Sequence, residues 1–220
     1  MSSRSKLANK VVDMFTDWMS KDKAAQQEGV KRLGLKPDNT AQDRAKAMGF
    51  GDDVYHGTEA DFNKFKPHKD SWSQALFNSK DPDVAEMFGD RIMPIKTRAN
   101  NIFDYENPKH LNKLKPYSFF DDINPDGSIN LLPDSVKNGY WHAMENSNIQ
   151  KAIKDSGFDG FNVKEHGVKN TGVYNNTDIR SKFAHFNPRL AGVGAGSILS
   201  ADLMADELDL EFKGLLNELE

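Results

Sequence analysis

Along the first fifty residues the apolar positions recur every three or four residues. Leu7, Val11, Val12, Met14, Phe15, Trp18 and Met19 mark the stripe of an amphipathic helix over 5–20. A second helical run covers 22–33 and ends near Gly34. Thr40 stands where an N-cap is needed for a third, Ala41 to Met48, which Gly49 stops. The period then shortens. Val54-Tyr55-His56 reads as a strand, and Ala75-Leu76-Phe77-Asn78 as another. Asp81 or Ser79 caps a helix that runs through Phe88, with Pro82 in the first turn, where its missing N–H costs nothing. Arg91 to Thr97 is a strand whose Pro94 predicts a place at a sheet edge.

Residues 104–138 are rich in Pro, Asn and Asp, with a turn signal at Asn124-Pro125-Asp126-Gly127, and predict a long insertion with little regular structure. Tyr140 to Asp155 has helical spacing, with Trp141, Met144, Ile149 and Ile153 inward and Gly157 as the stop. Phe158 to Lys164, Thr171 to Tyr174 and Lys182 to Phe186 complete the strands. After Pro188, the run Ala191-Gly192-Val193-Gly194-Ala195-Gly196 has linker composition. The last twenty residues carry Leu203, Met204, Leu208, Leu210, Phe212, Leu215, Leu216 and Leu219 on a wide helical stripe. The pattern predicts an α+β core over 50–188, a helical extension over 1–49, and a linker with an acidic amphipathic helix over 189–220.

The net charge of −4 gives no overall case for a nucleic-acid partner. Its distribution is uneven: residues 1–50 hold ten Lys/Arg against six acids, whereas 201–220 hold one Lys against seven acids. Such ends point to contacts with other proteins or with each other. The absence of cysteine excludes disulfides, thiolate metal sites and cysteine nucleophiles. The six histidines show no metal-ligand spacing, so no metal is expected. No apolar run approaches the ~20 residues of a membrane span, and no export signal is recognisable.

The candidate chemistry begins at Tyr55-His56-Gly57-Thr58. A glycine in that place leaves the backbone open to a flat ligand, and His56 and Thr58 add hydrogen-bonding groups on either side. A planar carboxamide beside a ribose hydroxyl fits such a grip; a plain turn with a surface histidine fits the same residues. Two further segments follow in order. Ala75-Leu76-Phe77-Asn78-Ser79 leads into Asp81-Pro82-Asp83-Val84-Ala85-Glu86-Met87-Phe88, and Gly157-Phe158-Asp159-Gly160-Phe161 precedes Val173-Tyr174-Asn175-Asn176-Thr177-Asp178-Ile179-Arg180-Ser181. Together these resemble the ADP-ribosyltransferase superfamily, on the branch of diphtheria-like toxins and poly(ADP-ribose) polymerases, and above all the transferase domains of phage and mobile-element proteins.

The resemblance implies a split β-sheet core and NAD as substrate. It makes Tyr55, His56, Gly57, Thr58, Phe77, Ser79 and Phe88 the NAD-binding set. His56 would bond a ribose hydroxyl and Gly57 would clamp the carboxamide, while Phe77 and Phe88 would sandwich the nicotinamide. Both rings also suit ordinary core packing. Breaking the nicotinamide–ribose bond builds positive charge on the ribose, which a nearby carboxylate stabilises. The family's glutamate falls here on Asn170, which brings no charge; Glu165 is the nearest substitute, provided that 165–170 folds back on itself. Phe77 likewise stands where the family often carries Tyr. Asp178 is expected to cap its turn, and Arg180 to support the loop or bind phosphate; Lys64, Lys66, Lys69 and Arg91 are further candidates for the pyrophosphate. Two readings stay open. One is a phage mono-ADP-ribosyltransferase acting on a host protein, or less plausibly a nucleic acid, in the virion or the host cytoplasm. The other is a weakly active or inactive transferase fold serving as a virion structural protein through its terminal helices.

Overall fold

The computed structural model describes residues 3–59, 75–115 and 134–190, with side chains of the first helix from Val12 onward. That helix, α1, is continuous over Ser3–Leu33. The expected division near residue 21 does not occur, because Ser20-Lys21-Asp22 contains no breaker and Lys21 pairs with Asp17 one turn earlier at 2.6 Å. Gly34, at φ 66°, ends it. In α2 (Ala41–Ala47), Thr40 caps as expected: its hydroxyl accepts from the Asp43 N–H while Asp43 accepts from the Thr40 N–H.

Two small sheets form the core. One has the order β1 (Asp53–Thr58), β3 (Arg91–Thr97), β7 (Ile179–Ser181). The other runs β2 (Leu76–Asn78), β6 (Val168–Val173), β5 (Gly160–Glu165), β4 (Ile102–Phe103). Every pairing is antiparallel except β4 with β5. A single bridge, Tyr55 to Ser79, joins the sheets. This is the α+β, split-sheet architecture expected for an ADP-ribosyltransferase-like core with a helical N-terminal extension.

Pro94 does not sit at an edge, since β3 lies between β1 and β7. The strand tolerates it because the β7 ladder stops at the Ile95–Ser181 pair. The Pro94 nitrogen faces the side just beyond that pair, so no ladder bond is lost, and its carbonyl accepts from the Lys182 N–H at 3.0 Å. The last strand is Ile179–Ser181, not 182–186; Phe186 instead adopts φ 47° and packs on Phe50.

The supposed insertion contains, among its described residues, α4 (Pro108–Leu114, capped by Asn107) and α5 (Asp134–Lys137), and β4 immediately precedes it. The helix expected over 140–155 is two, α6 (Trp141–Met144) and α7 (Ser147–Asp155), because the Asn146 side chain caps α7 at Asn148 and Ile149. Met144, Ile149 and Ile153 are buried as expected, but Trp141 is 55% exposed. They join Phe103, Leu114, Phe158, Phe161 and Val163 in the larger core, on the face of the β4–β5–β6 sheet that also carries Phe77. A smaller core of Val54, Leu76, Ile95, Val173 and Ile179 lies between the sheets. The readings for the linker and last helix fall outside the described residues.

Arg44 ties α1 to the core. It is fully buried, and its guanidinium donates to the His185 carbonyl at 2.8 Å, to the Asn39 side chain at 2.9 Å, and to the Asp22 carboxylate of α1. Arg44→Met is expected to lower unfolding free energy by ~3–5 kcal/mol, since three acceptors, a half-buried carboxylate among them, lose their donor. Asp22→Asn should cost a comparable amount, because it leaves the fully buried guanidinium without its counter-charge; urea melts of the two variants check this.

Candidate active site

The candidate site lies where the two sheets part. Tyr55 exchanges both backbone bonds with Ser79, at 2.8 and 2.9 Å. Antiparallel pairing would next join Gly57 to Phe77. It does not, because the imidazole of His56 takes the Phe77 carbonyl instead, Nδ1–H donating at 2.7 Å. Gly57 therefore keeps an N–H and a C=O directed into the split, with no strand paired to it on that side among the described residues. The bond also fixes the histidine tautomer: with the proton on Nδ1, the neutral ring carries its lone pair on Nε2.

Gly57 has a second reason to be glycine. Helix α3 (Pro82–Glu86) crosses β1 so closely that a Cβ on Gly57 would lie 1.7 Å from the Ala85 carbonyl oxygen. Gly89, at φ 149°, presses in the same way on the backbone of Thr58. The Cα face of the motif is thus filled by protein, and among the described residues its in-plane polar edge is the side left to a ligand. Asp81 caps α3, accepting from the Asp83 N–H at 3.0 Å, and Pro82 occupies the first turn. The helix stops at Glu86, so Phe88 lies just outside it and is 43% exposed.

Phe77 and Phe88 have different surroundings. Phe77 meets Phe161 edge-on at 5.7 Å across Gly172 and is a partly buried member of the larger core. Phe88 stands off the core and faces the His166 ring at 6.3 Å. His166 and Gly167, at φ 48° and 82°, form the two-residue turn between β5 and β6. That hairpin folds Glu165 back beside Asn170, whose Nδ2 donates to the Glu165 carboxylate at 2.9 Å. Asn170 is 2% exposed, and its Oδ1 is buried with no hydrogen-bond partner. Strand alternation puts Asn170, Glu165 and Phe77 on the same sheet face.

The contacts close a ring. It runs from His56 to Phe77, along that face to Asn170 and Glu165, through the turn to His166 and Phe88, and back under α3 to Gly57 and Thr58. Ser79 contributes otherwise: it is buried, it pairs with Tyr55, and its hydroxyl accepts from the Asp81 N–H at 3.1 Å. Asp178 does not cap its turn. Asn175 does so, while Asp178 binds Arg98 at 2.8 Å. Arg180 is buried and donates to the Thr177 and Ile179 carbonyls, which is the loop-supporting alternative. Lys64, Lys66 and Lys69 lie outside the described residues; Arg91, exposed, begins β3.

One carboxylate escaped sequence reasoning. Glu145, at the end of α6, is half-buried, and burial first and the charge of Glu165 second raise its pKa. Only the packing of α6 on β5 brings it near, so no local pattern marks it. A surface concavity of about 370 Å³, lined in part by Tyr105, Lys137, Lys164 and Lys169, touches the ring only at Gly167 of the β5–β6 turn. Two of the carboxylates near it, Asp104 and Glu106, already pair with Lys169. Among the described residues no cluster of three metal-ligating side chains occurs, and no helix is long and apolar enough to cross a membrane.

A family model described as "ADP-Ribosyltransferase in polyvalent proteins" matches residues 48–188. The chain belongs to this ADP-ribosyltransferase family. No curated protein matches the chain. A solved structure described as the crystal structure of an anti-CRISPR protein is similar over 58% of this chain and 93% of its own, at 8% identity and a TM-score of 0.37. The family match spans every segment of the ring, from His56 to Asn170.

Gly57→Ala should destabilise the fold by about 3 kcal/mol, since the new methyl overlaps backbone that cannot yield as a side chain would; chemical denaturation measures it. Glu145 gives a pH signature. Its folded pKa lies above the ordinary 4.5, so the folded state holds the proton more tightly, and stability falls as pH rises past that value. Glu145→Gln should flatten that fall and raise Tm at about pH 7, with the gain over wild type vanishing below about pH 4.

Proposed function

We propose that this domain binds NAD at the split and transfers ADP-ribose to a macromolecule of a host cell, with Glu165 as the carboxylate that stabilises the developing ribosyl cation. The observation that carries the reading is the 2.9 Å bond from Asn170 to Glu165. It supplies a negative charge beside the position at which the family's glutamate falls, through the strand neighbour and not the strand residue itself. The bond also orients the carboxylate, and pre-oriented charge is what lowers such a barrier. The Gly57 N–H and C=O suit a carboxamide, which offers one acceptor and one donor in a plane. By the family resemblance a ribose hydroxyl would bond the His56 ring, and the buried Asn170 Oδ1 is an acceptor in need of a donor, which a second hydroxyl satisfies. Phe88 is the ring exposed enough to stack on nicotinamide; Phe77 backs the site by fixing the carbonyl that holds His56. Delivery in a virion is part of the same proposal.

A second reading is a transferase fold kept for binding alone, in the virion or at a host surface. It is favoured by Asn170 and Phe77, which depart from the residues the family resemblance leads one to expect at those places. One set of measurements separates the two. Calorimetry should detect NAD binding, weakened about tenfold in His56→Ala, which leaves a hydroxyl unpaired. NAD hydrolysis should fall ~10²–10³-fold in Glu165→Gln with binding largely kept. Absence of binding at millimolar NAD leaves the binding-protein reading, and an unchanged rate in Glu165→Gln removes Glu165 from the chemistry.

A further inference from the structure

Helix α1 carries an apolar stripe that the described domain leaves uncovered. Val12, Phe15, Met19 and Val30 are 61%, 58%, 53% and 39% exposed. At about 100° per residue they fall within about 60° of one another. The face that packs on the domain is a different one. There Ala25 and Gly29 are buried, and the Trp18 ring meets His185 at 5.1 Å.

The described chain ends on the same helix. The turn Pro188–Leu190 packs against α1, and Arg189 lies near enough to Glu28 to act on its carboxylate. Thirty residues follow Leu190. At helical spacing Met204, Leu208, Phe212, Leu215 and Leu219 form a stripe of their own, about 22 Å long. The α1 stripe from Val12 to Val30 is about 27 Å long. The nine residues 191–199 can span at most about 30 Å, which reaches either end of it. Charge agrees as well: seven acids against one Lys in 201–220 meet an N-terminal fifty with ten Lys/Arg against six acids. Lys23 is exposed in the gap between Met19 and Val30.

We propose that residues 200–219 cover the Val12–Phe15–Met19–Val30 stripe of their own chain as a helix antiparallel to α1. The linker reaches either end, and we take the antiparallel sense because Arg189 lies beside the C-terminal half of α1, so that a helix starting there runs back toward Val12 without an extended linker. An isolated helix of twenty residues with this composition is marginal in water, and the stripe supplies the apolar surface that it lacks. Acids flanking the tail's stripe face the basic end. This pairing is independent of NAD, so its failure and that of the transferase reading are distinguishable.

The cysteine-free chain allows a direct test. Met19→Cys with Leu215→Cys, oxidised in the full-length protein, should give an intramolecular disulfide in a monomer, whereas Met19→Cys with Leu210→Cys, on the other face of the tail helix, should not. In the otherwise native chain, amides of 200–219 should be protected from hydrogen exchange. Phe15→Glu with Met19→Glu should lower that protection at least tenfold while the β-sheet amides stay unchanged. Cross-links that appear only as dimers, equal cross-linking of both pairs, an unprotected tail, or protection indifferent to the two glutamates would each overturn the proposal.

Discussion

A histidine that takes a carbonyl from its own sheet sets the shape of this domain. Once His56 Nδ1 bonds the Phe77 oxygen, β1 and β2 cannot pair beyond Tyr55 and Ser79, and the two sheets must diverge. The backbone groups released at Gly57 then face the opening in place of a neighbouring strand. A split between sheets ordinarily exposes polar backbone at a cost of a few kcal/mol for each buried orphan. Here one of those groups is satisfied by the imidazole, and the remaining pair is available to a ligand. The parting of the sheets and the open edge of Gly57 are therefore consequences of one bond.

Close packing of α3 holds that arrangement. The helix lies so near β1 that neither Gly57 nor Gly89 can carry a side chain, and the crossing positions Phe88 over the β5–β6 turn. Glycine serves here as a packing residue, although in the sequence it reads as a ligand-contact residue; the two roles occupy different sides of the same backbone. On the far side, buried Arg44 fastens α1 to the core through acceptors from three separate segments. Such a charge is costly to bury, and its completeness of pairing explains why it is tolerated.

Much of the fold is legible in the sequence where a local rule acts alone. The Thr40 and Asp81 caps, the Gly34 stop, the existence of β5 and the buried Met144, Ile149 and Ile153 follow from side-chain geometry within a few residues. Legibility ended where neighbours in space decided. Pro94 entered a central strand because β7 is one residue too short to need its N–H. Trp141 turned outward because the break at Asn146 gives the short α6 its own rotation, with Ala143 and Met144 inward.

The sequence by itself determined the family segments, their order, and the residues His56, Gly57 and Phe88 at the candidate site. It also determined the absence of thiol chemistry, since no cysteine is present. Tertiary structure alone decided which carboxylates stand there. Glu165 reaches Asn170 because a two-residue turn with two left-handed residues reverses β5 into β6, and Glu145 arrives because α6 packs on that hairpin. Charge placement depends on through-space distance, which falls off over a few ångströms and is not encoded in spacing along the chain. Backbone pattern is local and can be read; the meeting of two acids from different elements is not.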